Sequence, residues 1–231
     1  MTEIIPAIMP ESFEDLRSKM GKVRDLVSLV QIDVMDGVFV PPITWPYRSK
    51  DIDEFEDVIN ERKDMPHLKE LEFEVDMMVG GQEEEAERWI RAGAKRIIGH
   101  IEAMDDAERF IKVTRDASVP KDSFLSTEIG LALGLETSLD VLTPHIPDID
   151  FVQLMGIARI GYQGEEFDER VLERVSSLRK SFPELVISVD GGVDEDSAPL
   201  LSRAGANRLV SGSAIFEAND KAEVIKRLSS A

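Results

Sequence analysis

A chain of 231 residues with 46 acidic and 27 basic side chains carries a formal charge of −19 and contains no cysteine. That length suffices for one α/β barrel with a full core, and the missing cysteines exclude a disulfide framework, a thiolate nucleophile and a Cys-based zinc site. The charge repels nucleic acid and anionic membranes, no stretch nears the roughly 20 apolar residues of a membrane span, and the opening MTEIIP is no signal-like segment, so a cytoplasmic protein without nucleic-acid or membrane partners is expected.

Short β-rich runs alternate with helix-period segments along the chain. Strands are predicted over residues 4–9, 29–35, 71–79, 96–101, 128–133, 151–157, 185–190 and 208–212. Amphipathic stretches with helical spacing fall at 13–26, 83–92, 107–114, 169–182 and 221–228. Eight β-then-α units without a linker predict one domain over residues 1–231, an α/β fold closed as a (β/α)8 TIM barrel, with an open doubly wound sheet as the competing architecture. An internal echo favours the barrel: RAGAKRIIG at 91–99 recurs as RAGANRLVS at 203–211, on the fourth and eighth strands. Each copy ends a helix at a glycine suited to a left-handed cap, Gly93 and Gly205, and runs into a buried strand.

Alternation along the second strand puts Gln31, Asp33 and Met35 on one face, and Val30, Ile32 and Val34 on the face that should meet helices. The third strand repeats the pattern with Glu74, Asp76 and Met78, and the seventh ends in Asp190-Gly191-Gly192. Any one inward Asp could simply bond to loop amides. Carboxylates converging from three strands, however, require a bound cation, or protonation by a functional acid/base pair. The last two strands end in glycine turns, DGGV at 190–193 and SGSAIF at 211–216, whose open backbone N–H groups suit a phosphate at the C-terminal face of a barrel. The irregular segment 40–49 (VPPITWPYRS) follows the second strand on that face, and is open to two readings, a substrate lid or a structural loop.

These motifs resemble the ribulose-phosphate 3-epimerase family nearly end to end. The likeness is carried by IDVMDGVFVP at 32–41, EVDMMV at 74–79, Gly130-Leu-Ala-Leu133 with Thr137 and Ser138, Met155, VDGGV at 189–193 and GSAIF at 212–216. The resemblance implies a barrel of the ribulose-phosphate-binding type that inverts the carbon beside the ketone of a pentulose 5-phosphate. It assigns proton transfer to Asp33 and Asp190. Met35, Met78 and Met155 match methionines that line the reacting centre; His100, on the fourth strand, is read as a lining residue, a partner of Asp76 or an added metal ligand. Phosphate falls to Gly161, Gly164, Gly191, Gly192, Gly212 and Ser213, with Arg159 as an added charged contact. A small phosphorylated sugar is the expected partner, and a homo-oligomer is expected from the family.

The chain departs from the family in its metal site, where two His and two Asp are usual. Gln31 and Asp76 stand at the two His positions, so Gln31, Asp33, Asp76 and Asp190 form an all-oxygen set suited to a divalent metal such as Mg²⁺ or Mn²⁺ over Zn²⁺. The alternatives are a non-catalytic sugar-phosphate binder in which Asp76 pairs with a protein cation, and an epimerase of another ketose phosphate. Ala7 replaces the family's first-strand serine, and GIARIGYQG at 156–164 replaces its Asn-Pro-Gly-Phe-Gly-Gly pattern. No inward lysine offers a Schiff base, and no Gly-x-Gly-x-x-Gly follows the first strand.

Overall fold

In the computed structural model, which describes residues 2–118 and 126–231, eight parallel strands pair in chain order and the last closes onto the first. They are β1 (Glu3–Ile8), β2 (Leu29–Met35), β3 (Glu72–Met78), β4 (Arg96–His100), β5 (Glu128–Leu133), β6 (Phe151–Met155), β7 (Val186–Asp190) and β8 (Arg208–Ser211). Pairing of Glu3 with Arg208 through Pro6 with Ser211 closes the ring, which rules out the open sheet. All eight strands stand within a residue or two of where periodicity placed them, β1 starting one residue earlier and several others trimmed at their ends.

The ring is wrapped by α1 (Phe13–Val23), α2 (Ile52–Ile59), α3 (Gln82–Arg91), α4 (Ala107–Ala117), α5 (Arg170–Ser181), α6 (Ala198–Ala204), the short α7 (Ser213–Phe216) and α8 (Lys221–Ser229). Side-chain oxygens of Ser12, Asp106 and Asp220 accept N–H bonds in the first turns of α1, α4 and α8, so these starts are encoded locally. The β5–β6 crossover corrects the expectation of eight full units. It carries only two 3₁₀ turns, Leu139–Val141 and Ile146–Asp148, because Pro144 and Pro147 interrupt any longer helical run.

The layer between sheet and helices holds the main core. Val30, Ile32 and Val34 of β2 face it as expected, together with Phe73, Val75 and Met77 of β3. Its largest knot is aromatic: Trp45 is fully buried and packs against Phe13, Phe55 and Trp89 at ring-centroid distances of 5.4, 5.5 and 5.9 Å. Trp45 thereby anchors segment 40–49 to the core. Its Thr44 hydroxyl accepts the Met35 N–H at 3.0 Å and donates to the Asp33 carbonyl at 3.4 Å, which pins the C-terminal end of β2.

Inside the barrel the floor is ionic. Glu74 is fully buried and receives Arg208 from β8 and Arg96 from β4, the latter at 3.4 Å. Both arginines occupy the same place in the repeated RAGA-x-R motif, and both preceding glycines have positive φ, +97° at Gly93 and +112° at Gly205. The echo is thus a structural device that brings two cations from opposite sides of the ring to one carboxylate.

Candidate active site

At the opposite, C-terminal end of the strands, Asp33, Asp76 and Asp190 bring carboxylate oxygens within 4.8 Å of one another. β2 and β3 are in register, pairing Asp33 with Asp76, while Asp190 ends β7. Amides from the barrel interior tie the three together. Gln31 Nε2 donates to Asp33 Oδ1 at 2.8 Å and to Asp190 Oδ2 at 2.7 Å. Gln153 Nε2 donates to Asp76 Oδ2 at 3.3 Å and Asp190 Oδ2 at 3.4 Å, and its own oxygen accepts the Ser188 hydroxyl at 3.1 Å. His100 Nε2 meets Asp76 Oδ1 at 2.9 Å, with both side chains fully buried.

Such crowding raises proton affinity. Burial, then the charges of Asp190 and Asp76, hold the Asp33 carboxyl well above the usual carboxylate range. Burial and the charge of Asp76 push Asp190 up to about 7. Burial opposes the charged form of His100, yet the charge and hydrogen bond of Asp76 carry its pKa above the ordinary imidazole value. A carboxyl whose midpoint lies near neutrality, as at Asp190, is what general acid/base chemistry requires.

A cavity of about 610 Å³ opens above this cluster and runs to the β7 and β8 glycine turns. Asp33 and Asp190 stand in its wall with Met78 and Met155. Two of the expected lining residues do not. Met35 is fully buried behind the wall against Met78 and Val40, and His100 lies beneath Phe39 at a centroid distance of 5.3 Å, engaged with Asp76. His100 is thus the partner of Asp76 and not a surface of the cavity, because strand β4 contributes its last inward side chain below the mouth.

All six residues expected at a phosphate, Gly161, Gly164, Gly191, Gly192, Gly212 and Ser213, line the cavity. The backbone N–H groups of Gly192, Val193, Ser213 and Ala214 reach no acceptor among the described residues. Gly191 and Gly192 have φ of +97° and +67°, and a Cβ on Gly192 would lie 2.6 Å from the Phe167 Cα, so only glycine lets the β6–α5 loop close over this turn. Arg159 stands elsewhere: it pairs with Glu165, stacks 4.3 Å from the Tyr162 ring, and is largely exposed.

The donor set suits a hard divalent ion. Three neighbouring carboxylates in a poorly solvated site call for a compensating cation, and Gln31 Oε1 is buried with no partner, an orphan that rotation of the amide would turn toward them. Sequence reasoning missed Gln153 and Ser188, which complete the network. Their signal was present: Gln153 is the one polar residue of β6, and Ser188 lies two residues before Asp190 on the same face of β7.

The model of the ribulose-phosphate 3 epimerase family matches residues 3–216. The chain belongs to that family. Curated ribulose-phosphate 3-epimerases similar to it include that of Bacillus subtilis, 30% identical with 99% of this chain and 98% of the relative covered, and that of Chlamydia pneumoniae, 32% identical over 94% and 89%. Among solved structures, KGPDC from Streptococcus mutans superposes with a TM-score of 0.71 at 14% identity, covering 99% of this chain and 96% of the other. A 3-hexulose-6-phosphate synthase from Salmonella typhimurium gives 0.66 at 15% identity, covering 99% and 97%. The two structures share the barrel fold. Gln31 and Asp76 are buried in the barrel, whereas the 156–164 loop is largely at its surface.

Proposed function

We propose that this chain is a ribulose-phosphate 3-epimerase that inverts C3 of a pentulose 5-phosphate by proton transfer between two carboxyls. The observation that carries this reading is the pairing of Asp33 and Asp190 across the barrel mouth. They come from strands on different sides of the ring, both enter the cavity wall, and one amide bridges them. Bases on two sides of a bound sugar can remove a proton from one face and deliver one to the other, which is the requirement for inversion. Ionised, one takes the C3 proton; protonated, the other returns one to the opposite face.

The glycine turns after β7 and β8 hold the phosphate by free N–H groups, which fixes the sugar's register. Met78 and Met155 exclude water beside the reacting carbon. Gln31, by its oxygen, with Asp33, Asp76 and Asp190 would hold the metal, and an all-oxygen set favours Mg²⁺ or Mn²⁺ over Zn²⁺. When bound, the ion supplies positive charge beside the substrate's carbonyl oxygen. His100 holds Asp76 in place, and Gln153 steadies both Asp76 and Asp190.

The test is conversion of D-ribulose 5-phosphate to its C3 epimer with added Mg²⁺, Mn²⁺ or Zn²⁺. Turnover that is largest with Mg²⁺ or Mn²⁺, and that falls by about 10²-fold or more in both Asp33→Asn and Asp190→Asn, supports the reading. Sugar phosphate bound without turnover under any ion would instead establish the binding protein.

A further inference from the structure

The cavity takes a phosphate sugar, on the reading above, yet it is lined by six carboxylates (Asp33, Glu165, Glu166, Asp190, Asp194 and Glu217) and by no lysine, arginine or histidine. Glu166 and Glu217 form no ion pair among the described residues, and Arg159 is committed to Glu165. An anion entering here meets no cation from a lining side chain. Its grip must come from neutral donors.

One neutral side chain of the β6–α5 loop is placed to supply it. Gln163 lines the cavity, and its Nε2 lies 3.1 Å from where a Cβ on Gly212 would stand, so its carboxamide rests on the β8 turn beside the free N–H groups of Ser213 and Ala214. Gln163 makes no hydrogen bond among the described residues, although the loop around it is anchored. The base is closed by Gly156 N–H donating to the Asp190 carbonyl at 2.6 Å and Asp168 N–H donating to the Gly156 carbonyl at 2.8 Å. Phe167 packs on Gly192, and Gly161 packs on Val40. A pinned loop thus presents one unused amide donor to the phosphate turn.

We infer that Gln163 is a substrate-binding residue that donates its side-chain amide to the ligand's phosphate, completing an all-neutral phosphate grip. This rests on the proposed epimerase reading and adds two consequences. Gln163 carries a share of affinity that no cationic side chain of the cavity lining can replace. The surrounding carboxylates oppose the anion, so salt strengthens its binding, the reverse of an Arg- or Lys-gripped phosphate.

Binding of D-ribulose 5-phosphate and of inorganic phosphate to wild type, Gln163→Ala and Gln163→Glu is measured by calorimetry at about 20 and 200 mM NaCl, a range over which the screening length shortens severalfold. Gln163→Ala should weaken the sugar phosphate about tenfold or more, the loss of a hydrogen bond to a charged group, with Gln163→Glu weaker still and the melting temperature unmoved. KM should rise more than kcat falls, and wild-type affinity should hold or improve at the higher salt. Wild-type binding with Gln163→Ala within twofold, or affinity that falls steeply with salt, overturns the inference and leaves the epimerase reading standing. A wild-type chain that binds neither compound overturns the reading and the inference together.

Discussion

Tyr47 shows what a single buried residue does in this fold. Its hydroxyl donates to Glu85 Oε2 at 2.5 Å and accepts from Trp89 Nε1 at 3.2 Å. Burial first, and the Glu85 charge second, raise its pKa well above the usual phenol value. The chain holds only one other tyrosine, Tyr162, so in Tyr162→Phe the near-ultraviolet phenolate absorbance reports Tyr47 alone. That signal should appear only above the ordinary phenol midpoint of about 10, and a normal midpoint would contradict the packing described. The sign for stability follows: a raised folded pKa favours the protonated form, so this contribution is full below the unfolded midpoint and is lost as pH rises through the folded one. Gly156 is the second residue whose identity is dictated locally. A Cβ there would lie 2.4 Å from the Gly191 carbonyl oxygen, so Gly156→Ala must displace the β7 turn. Affinity for D-ribulose 5-phosphate should fall severalfold in that variant, and unchanged affinity would show that the turn is not the phosphate grip.

At the scale of elements, the barrel floor is held by charges that strands β3, β4 and β8 bring together. Burial raises the pKa of Glu74 and lowers that of Arg208, each opposed by the other's charge. Removing one partner strands the other, so Arg208→Ala should cost about 3–5 kcal/mol in chemical unfolding, while Glu74→Leu combined with Arg208→Met should cost much less than the two single changes summed. Additive costs would mean the two residues do not act as a pair. These elements were readable in the sequence because strand alternation and capping side chains are local signals: eight strands, the inward Asp33, Asp76 and Asp190, and the glycine turns after β7 and β8 all follow from spacing. What spacing could not show was depth. Met35 and Met78 sit on equivalent inward positions of paired strands, yet one is sealed and one lines the cavity, because the β2 end is capped by Thr44 and Val40. Nor could it show that prolines remove the helix after β5, or that Arg159 would be taken by Glu165.

Over the whole molecule the charge of −19 is spread unevenly, with three carboxylates forced together at the heart of the site. A divalent ion that binds only the folded chain stabilises it by mass action. The melting temperature should therefore rise with millimolar Mg²⁺ or Mn²⁺, and the rise should shrink in Asp76→Asn; an equal rise in that variant would place the ion elsewhere. The proposed exchange of the C3 proton of a pentulose phosphate by Asp33 and Asp190 is read most directly by NMR of D-ribulose 5-phosphate in D₂O. Deuterium should appear at C3 of the epimer at the rate of turnover and be absent in Asp33→Asn and in Asp190→Asn. Exchange that survives in both variants, or epimer formed with C3 hydrogen fully retained, would contradict it.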